Sequence, residues 1–296
     1  MAQTSDPALC FIGAGRVGSV LAYHFSKFNI PIRGIIETND AGHPALRKIF
    51  PHIEIKSSLA TEVIFESNII FICVPDDHLA GVGDAIARLG IDLSEKSFVH
   101  TSGAYSSEIL TPLKKRNGRI ASAHPIYSFG SDDPASISLE KAYFDLEGDA
   151  TAVAQLKNLF QKTGIKFIEI TPAQKLAVHL ASVFCSNYFV GLAQIAQEIL
   201  RVSHFPKEYF WEPFVPLIES TLANLSSDSP ANALTGPIKR GDTLTVEKHL
   251  TYLKSYYPDA VPAYVQMART ILQISSLPDE MIGRLEEILR TFDSMD

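Results

Sequence analysis

Cysteine is scarce in this chain. Its three residues, Cys10, Cys73 and Cys185, lie far apart, each inside an apolar run. An odd number at such spacing supplies neither a disulfide framework nor a zinc site, so they read as small buried thiols of a reducing compartment. Positive charge is also in deficit: 26 Lys and Arg against 33 Asp and Glu leave a formal net charge of -7. That excludes the basic stripe with which a nucleic-acid binder meets phosphates. Residues 1–7 lack the basic and apolar regions of a secretory signal. No repeat or low-complexity segment is visible. No apolar run of membrane-spanning length is free of polar groups either. The most apolar stretch, 176–200, contains His179, Ser182, Ser186, Asn187, Gln194, Gln197 and Glu198, and reads as a buried core helix rather than a membrane span.

What is present is an ordinary globular composition, 46% hydrophobic and 20% charged over 296 residues, enough for about two domains. The first half alternates short apolar runs with amphipathic stretches. Residues 8–12, 31–37, 53–56, 68–74, 97–100 and 119–123 are strand candidates. Residues 16–28 carry Val17, Val20, Leu21 and Phe25 at helical spacing. The continuous run 68–74 suits a central parallel strand covered on both faces. Residues 143–146 and 166–170 extend the sheet, with a helix over 151–163 between them. This alternation predicts a doubly wound, mainly parallel sheet. After Thr171-Pro172 only helical patterns follow, over 173–202, 207–225, 244–256, 260–274 and 278–292. The chain thus divides into an α/β domain over 1–170 and an all-α C-terminal domain over 171–296.

The first strand runs directly into Gly13-Ala14-Gly15-Arg16-Val17-Gly18 and then into the first amphipathic helix. G-x-G-x-x-G between a strand and a helix is the fingerprint of a Rossmann-type dinucleotide fold. Gly13 permits the tight turn, Gly15 lets the backbone approach a pyrophosphate, and Gly18 lets helix and strand pack closely. The helix start offers unpaired N–H groups to the phosphates. Glu37 closes the second strand, where an acid bonds the adenosine ribose of NAD; Thr38, Asn39, Arg33 and Arg47 nearby leave NADP open. Val74-Pro75-Asp76 ends the central apolar strand at the carboxyl edge of the sheet, where ligands bind in open α/β folds. Asp76 is equally suited to cap the next helix.

Further polar clusters offer chemistry. Ser102 beside Gly103, after the strand at 97–100, can hold a substrate carboxylate or carbonyl, or serve only to cap a turn. His124, before Pro125, can orient a nicotinamide carboxamide or a substrate, or be structural. Lys175, His179, Ser182 and Ser186 recur at spacings of four, three and four on one face of a mostly apolar helix. Such a stripe lines a cleft or is hydrogen-bonded across a domain seam. Reduction of a carbonyl or imine needs a proton donor, and Lys175 or His179 is suitable. Asn187 lies off this face. Residues 234–242 form a loop in which Lys239 and Arg240 clamp a substrate carboxylate or simply face solvent, with Asp242 or Thr243 capping the next helix. No residue set calls for a metal.

Together the glycine loop, Val74-Pro75-Asp76-Asp77, His100-Thr101-Ser102-Gly103, His124-Pro125, Ser186-Asn187 and Thr235-Gly236-Pro237 resemble a bacterial family of NAD(P)-dependent oxidoreductases. Its members pair a Rossmann-like domain with a helical C-terminal domain of unknown function, and the resemblance covers nearly the whole chain. It implies a cytoplasmic protein that binds NADP or NAD and forms a homodimer through its helical domain, with no nucleic-acid or membrane partner. The family is similar in turn to 3-hydroxyisobutyrate dehydrogenases, ketopantoate reductases and pyrroline-5-carboxylate reductases. The first two imply a catalytic lysine followed one turn later by asparagine: Lys175 matches the lysine, and His179 stands in the asparagine's place. Ser102-Gly103 falls where hydroxyacid enzymes carry a substrate-binding serine turn.

The expectation is therefore an α/β protein, a Rossmann-type doubly wound mainly parallel sheet followed by an all-α C-terminal domain. It would transfer a hydride between NAD(P) and a small carboxylate-bearing oxo/hydroxy or imino/amino substrate. Lys175, His179 and Ser102 are the catalytic candidates. Ser102, Gly103, His124, Ser182, Asn187 and Lys239 are the substrate candidates. The missing lysine–asparagine pair favours a rival, a dinucleotide-binding sensor or scaffold without turnover. A deazaflavin-linked NADP reductase would share the fold.

Overall fold

The computed structural model describes residues 6–293. Eight strands form one sheet: β1 (Leu9–Ile12), β2 (Ile32–Ile36), β3 (Ile55–Lys56), β4 (Ile69–Ile72), β5 (Ser97–His100), β6 (Arg119–Ile126), β7 (Tyr143–Gly148) and β8 (Lys166–Glu169), in the order β3-β2-β1-β4-β5-β6-β7-β8. Every pairing is parallel except β6 with β7, which is antiparallel. All residues of β1 and β4 are buried, as a strand covered on both faces requires. The covering helices of this part are α1 (Arg16–Lys27), α2 (His43–Ile49), α3 (Thr61–Phe65), α4 (Asp76–Ala87), α5 (Thr111–Lys114) and α6 (Ala150–Thr163). On one face an aromatic core joins Phe11, Phe25, Phe71, Phe144 and Phe160. The other face packs Ile70, Ile72, Leu79, Ile86 and Phe98. Strand order reverses between β1 and β4, which creates the crevice where doubly wound sheets bind ligands.

Two of the three loop glycines are demanded by the protein itself. Gly13 has φ +87°, and a Cβ there would lie 2.7 Å from the Cys73 carbonyl oxygen. A Cβ on Gly18 would lie 2.2 Å from the Gly13 carbonyl oxygen. Gly15 is different: its added Cβ meets nothing within 4 Å.

β6 departs from expectation by continuing through His124-Pro125 to Ile126 instead of ending at Ala123. Its pairing with β5 stops at Ser122, whereas β7 accompanies it to the end. Over these last residues β6 has a neighbour on one side only, and proline is tolerated there.

The chain divides into two compact units, Met1–Ser186 and Asn187–Asp296. Helix α7 (Lys175–Cys185) goes with the first. The second holds α8 (Asn187–Val202), α9 (Val215–Ser227), α10 (Pro230–Ala233), α11 (Gly236–Arg240), α12 (Thr243–Tyr256), α13 (Val261–Gln273) and α14 (Asp279–Asp293). Its core includes Val246, Leu250, Val265, Leu272 and Leu285.

Five expectations need correcting. The single helix expected over 173–202 is broken at Ser186, whose φ of -126° and ψ of -72° lie outside the helical region. The stretch 176–200 is not buried: Lys175 is the sole buried residue of α7, and α8 has none. Apolar composition reports what a helix needs to cover, not whether its own chain covers it. Residues 234–242 are not a plain loop but contain α11, and the helix expected over 207–225 is a short 3-10 turn followed by α9. Finally, Cys185 is exposed in the single chain, whereas Cys10 is buried.

The glycine geometry yields a test of stability. Gly18→Ala is expected to cost about 1–3 kcal/mol, because the added methyl must displace backbone. Gly15→Ala is expected to change stability by under about 0.5 kcal/mol. Urea unfolding of the two full-length variants measures both.

Candidate active site

One cleft of about 980 Å³ runs along the carboxyl edge of the sheet in the first unit, from Gly13, Gly15, Arg16 and Glu37 past Val74–Asp76 to Ser102, Gly103, His124 and His179. At its first end, α1 follows Gly15 as its N-cap, with no side-chain cap, so its leading N–H groups are free to meet an anion. Packing does not account for glycine at 15. Both Glu37 carboxylate oxygens accept from backbone: Oε2 from Ala14 N–H at 2.8 Å and Oε1 from Asn39 N–H at 2.9 Å. The acid is thus fixed beside the glycine loop. Asp76 is the first residue of α4 rather than its cap, which is Pro75. These residues fit a dinucleotide, with the pyrophosphate on the α1 start and the adenosine ribose beside Glu37.

At the other end the sheet carries a polar ladder. His100 pairs in register with Ser122 across β5 and β6, and Ser122 with Glu147 and His124 with Asp145 across β6 and β7. Glu147 accepts from Ser107 N–H at 2.6 Å and Ser107 Oγ at 2.8 Å. Asp145 is fully buried and bound at both oxygens: Oδ1 accepts from Lys175 Nζ at 2.5 Å, and Oδ2 pairs with His124 Nδ1 at 2.9 Å. Burial pushes the Asp145 carboxyl up, but the His124 hydrogen bond and the Lys175 charge outweigh it and hold it below the ordinary carboxylate range. Burial lowers Lys175 from the usual lysine range, partly offset by Asp145. An ionised pair this deep persists because each partner satisfies the other.

Lys175 is only 1% exposed and does not line the cleft. His179, one turn on, does. Its ring stands edge-on to His124, with centroids 5.5 Å apart and an interplanar angle of 80°. Its affinity for protons is lowered, first by burial and next by His124. Gly103 makes this approach possible: a Cβ there would lie 2.3 Å from His179 Nδ1 and 2.7 Å from His124 Nε2. Ser102 Oγ accepts from the Ala104 and Tyr105 N–H groups, closing the turn. Ser182 donates to the Val178 carbonyl of its own helix. Asn187 and Lys239 belong to the second unit, where Lys239 Nζ donates to the Ala231 carbonyl at 3.3 Å.

Among the described residues, the buried side-chain polar atoms without a hydrogen-bond partner are His100 Nε2, Ser122 Oγ and His179 Nδ1. All three belong to this site. The Ser106 backbone nonetheless raises the proton affinity of the His100 ring. No group of three or more His, Cys, Asp and Glu among the described residues is arranged to hold a metal. Asp145, Glu147 and Ser122 escaped the sequence reading. The one signal was two acids alternating with Phe144 and Leu146 along a strand, which places both on one face and demands partners for them.

Comparison with known proteins agrees with this architecture. The Rossmann-like domain family matches residues 3–125, and the Domain of unknown function (DUF2520) matches residues 142–271. No curated protein matches the chain. Among solved structures, a provisionally named NADP oxidoreductase from Bacteroides fragilis is 22% identical with a TM-score of 0.75, the match covering 90% of this chain and 98% of that one. An imine reductase from Myxococcus stipitatus in complex with NADP+ is 15% identical, with a TM-score of 0.66 and coverage of 97% and 100%. A reductive aminase from Aspergillus terreus, in complex with NADPH and ethyl levulinate, is 13% identical, with a TM-score of 0.68 and coverage of 96% and 99%. At these identities the likeness is one of fold.

The buried ladder makes stability depend on pH. Burial is the main cause that lowers His100 from 6.5 to about 4, with Lys175 adding to it. As pH falls, the unfolded chain takes up this proton before the folded one does. The contribution is therefore complete above about 6.5 and drains between there and about 4, by about 3 kcal/mol in all. His100→Gln is expected to flatten the acid loss of the unfolding free energy, from urea titrations between about pH 7 and about pH 4.5, by about 2 kcal/mol.

Proposed function

For a chain that belongs to the proteins joining a Rossmann-like domain to a DUF2520 domain, we propose the activity of an NAD(P)-linked oxidoreductase acting on a small carbonyl or imine, with the corresponding alcohol or amine as the reduced partner. The observation that carries this reading is that a single cleft joins the glycine loop to the paired histidines His124 and His179. A bound dihydronicotinamide supplies a hydride to the C=O or C=N carbon. The residues of the chain do the rest. The α1 start and Gly15 hold the pyrophosphate, Val74, Pro75 and Asp76 border the cofactor's path, and Ser102, Gly103, His124 and His179 surround the reacting end. The reductions named for the two enzymes compared above support the same reaction type here.

The cofactor is NAD or NADP, and Glu37 favours NAD, because a 2′-phosphate would face its carboxylate. Saturation at a hundred times Kd is expected to stabilise the protein by about 2.7 kcal/mol. A thermal-shift titration should show a larger effect of NAD(H) than of NADP(H), and Gly15→Ala should abolish both. An unchanged Tm with all four nucleotides would sink the dinucleotide reading. Binding without deuteride transfer to any member of a panel of oxo acids and cyclic imines would instead support a sensor.

We further propose a homodimer, in which a second copy covers the apolar helices. Leu176, Leu180 and Phe184 of α7, Tyr188, Phe189 and Val190 of α8, and Leu217 and Leu222 of α9 are all exposed in the single chain. Patches of this kind mark interfaces. The residue window 172–202 is also apolar and long enough to cross a membrane, but its His179, Ser182, Asn187, Gln194 and Glu198 favour a protein partner. Light scattering on the purified chain is expected to give twice 32.5 kDa; a monomer, or a protein that needs detergent, refutes the dimer.

A further inference from the structure

We propose that His124 is the group that exchanges the proton with substrate, that Asp145 fixes the tautomer which lets it do so, and that Lys175 is a positioning residue rather than the proton donor. This rests on the oxidoreductase reading above for the identity of the reaction, but on geometry alone for the residues.

The argument begins with Asp145. Its carboxyl is held ionised, so both oxygens can only accept. Oδ1 is taken by the Lys175 ammonium, a donor with no accepting capacity, and Oδ2 faces His124 Nδ1 at 2.9 Å. A hydrogen bond at that contact requires the proton to sit on Nδ1. In the neutral ring, Nε2 is then bare, and Nε2 is the nitrogen directed at the space over Gly103. His179 Nδ1 looks into the same space, buried and without a partner. Two imidazole nitrogens thus converge on a niche that exists because residue 103 has no side chain. The oxygen or nitrogen of the double bond being reduced meets His124 Nε2 at this edge of the cleft.

In the reducing direction His124 begins as imidazolium, with Nδ1–H on Asp145 and Nε2–H on the substrate heteroatom. When the carbon accepts its hydride, the π pair moves to the heteroatom. The Nε2–H bond breaks, the heteroatom takes the proton, and His124 is left neutral with Nδ1–H still on Asp145. Oxidation runs the same transfer backwards. Lys175 takes no part in this transfer, since its ammonium is enclosed against Asp145 and absent from the cleft wall. It keeps Asp145 ionised and Oδ1 occupied, so that Oδ2 alone is left for His124.

The test reads the tautomer by nitrogen NMR on full-length protein labelled at the histidine imidazoles, with the His124 signals assigned from their loss in His124→Gln. At a pH where the ring is neutral, wild type is expected to show a protonated Nδ1 and a bare Nε2. In Asp145→Asn, Lys175 as a pure donor holds the amide oxygen, so the amide N–H turns towards His124 and the proton is expected to move to Nε2. A proton on Nε2 in the wild type, or a tautomer unmoved by Asp145→Asn, overturns the proposal; the wild-type result stands even if that variant does not fold. In turnover of a cyclic imine or oxo acid, His124→Gln is expected to lower kcat by about 10²–10⁴-fold with the cofactor Kd within about twofold. A loss under about tenfold also overturns it. The NMR result needs no cofactor, so a failed oxidoreductase reading and a failed tautomer are told apart.

Discussion

The fully buried carboxylate of Asp145 has no water to fall back on, so both of its oxygens must be met by protein. One is met by an ammonium from a helix that follows the sheet, the other by an imidazole on the neighbouring strand. Much of the site follows from that demand. Lys175 cannot leave without stranding a charge in low dielectric, so the start of α7 is pinned against β7 and His179 is carried to the cleft one turn later. His124 cannot rotate without giving up its bond. The two histidines approach each other over Gly103 because both are held from behind, one by a carboxylate and the other by its helix.

At the opposite end of the cleft the constraint is one of space. Gly13 and Gly18 are fixed by backbone that a methyl group would strike, whereas Gly15 borders open volume. Within a single six-residue loop, glycines demanded by packing thus stand beside one that packing does not demand. Glu37 has two roles: it ties the loop to the end of β2 through Ala14 N–H and sets the chemistry of the surface that a ribose would meet.

Much of this was legible in the sequence because it is local. The glycine loop, the continuous apolar strands and the change to pure helix after Thr171 are patterns of near neighbours, and the eight-stranded sheet followed by helices matches them. The second end of the site was not legible, since its bonds join residues 21, 30 and 40 positions apart. Helical spacing put Lys175 and His179 on one face, yet could not tell that one turns inwards to a carboxylate and the other towards the cleft. The same limit explains the stretch 176–200: hydropathy predicts that it must be covered, and a single chain covers it only in part.

The reversed strand β7 ties pairing to chemistry. In an antiparallel ladder His124 sits directly opposite Asp145, and side chains alternate between faces. A slip of one residue would send Asp145 and Glu147 into the aromatic core now filled by Phe144 and turn Leu146 towards the histidine. Strand register and proton placement are therefore one variable. The apolar packing of Phe144 against Phe160 is thus a distant guardian of where a single imidazole proton resides.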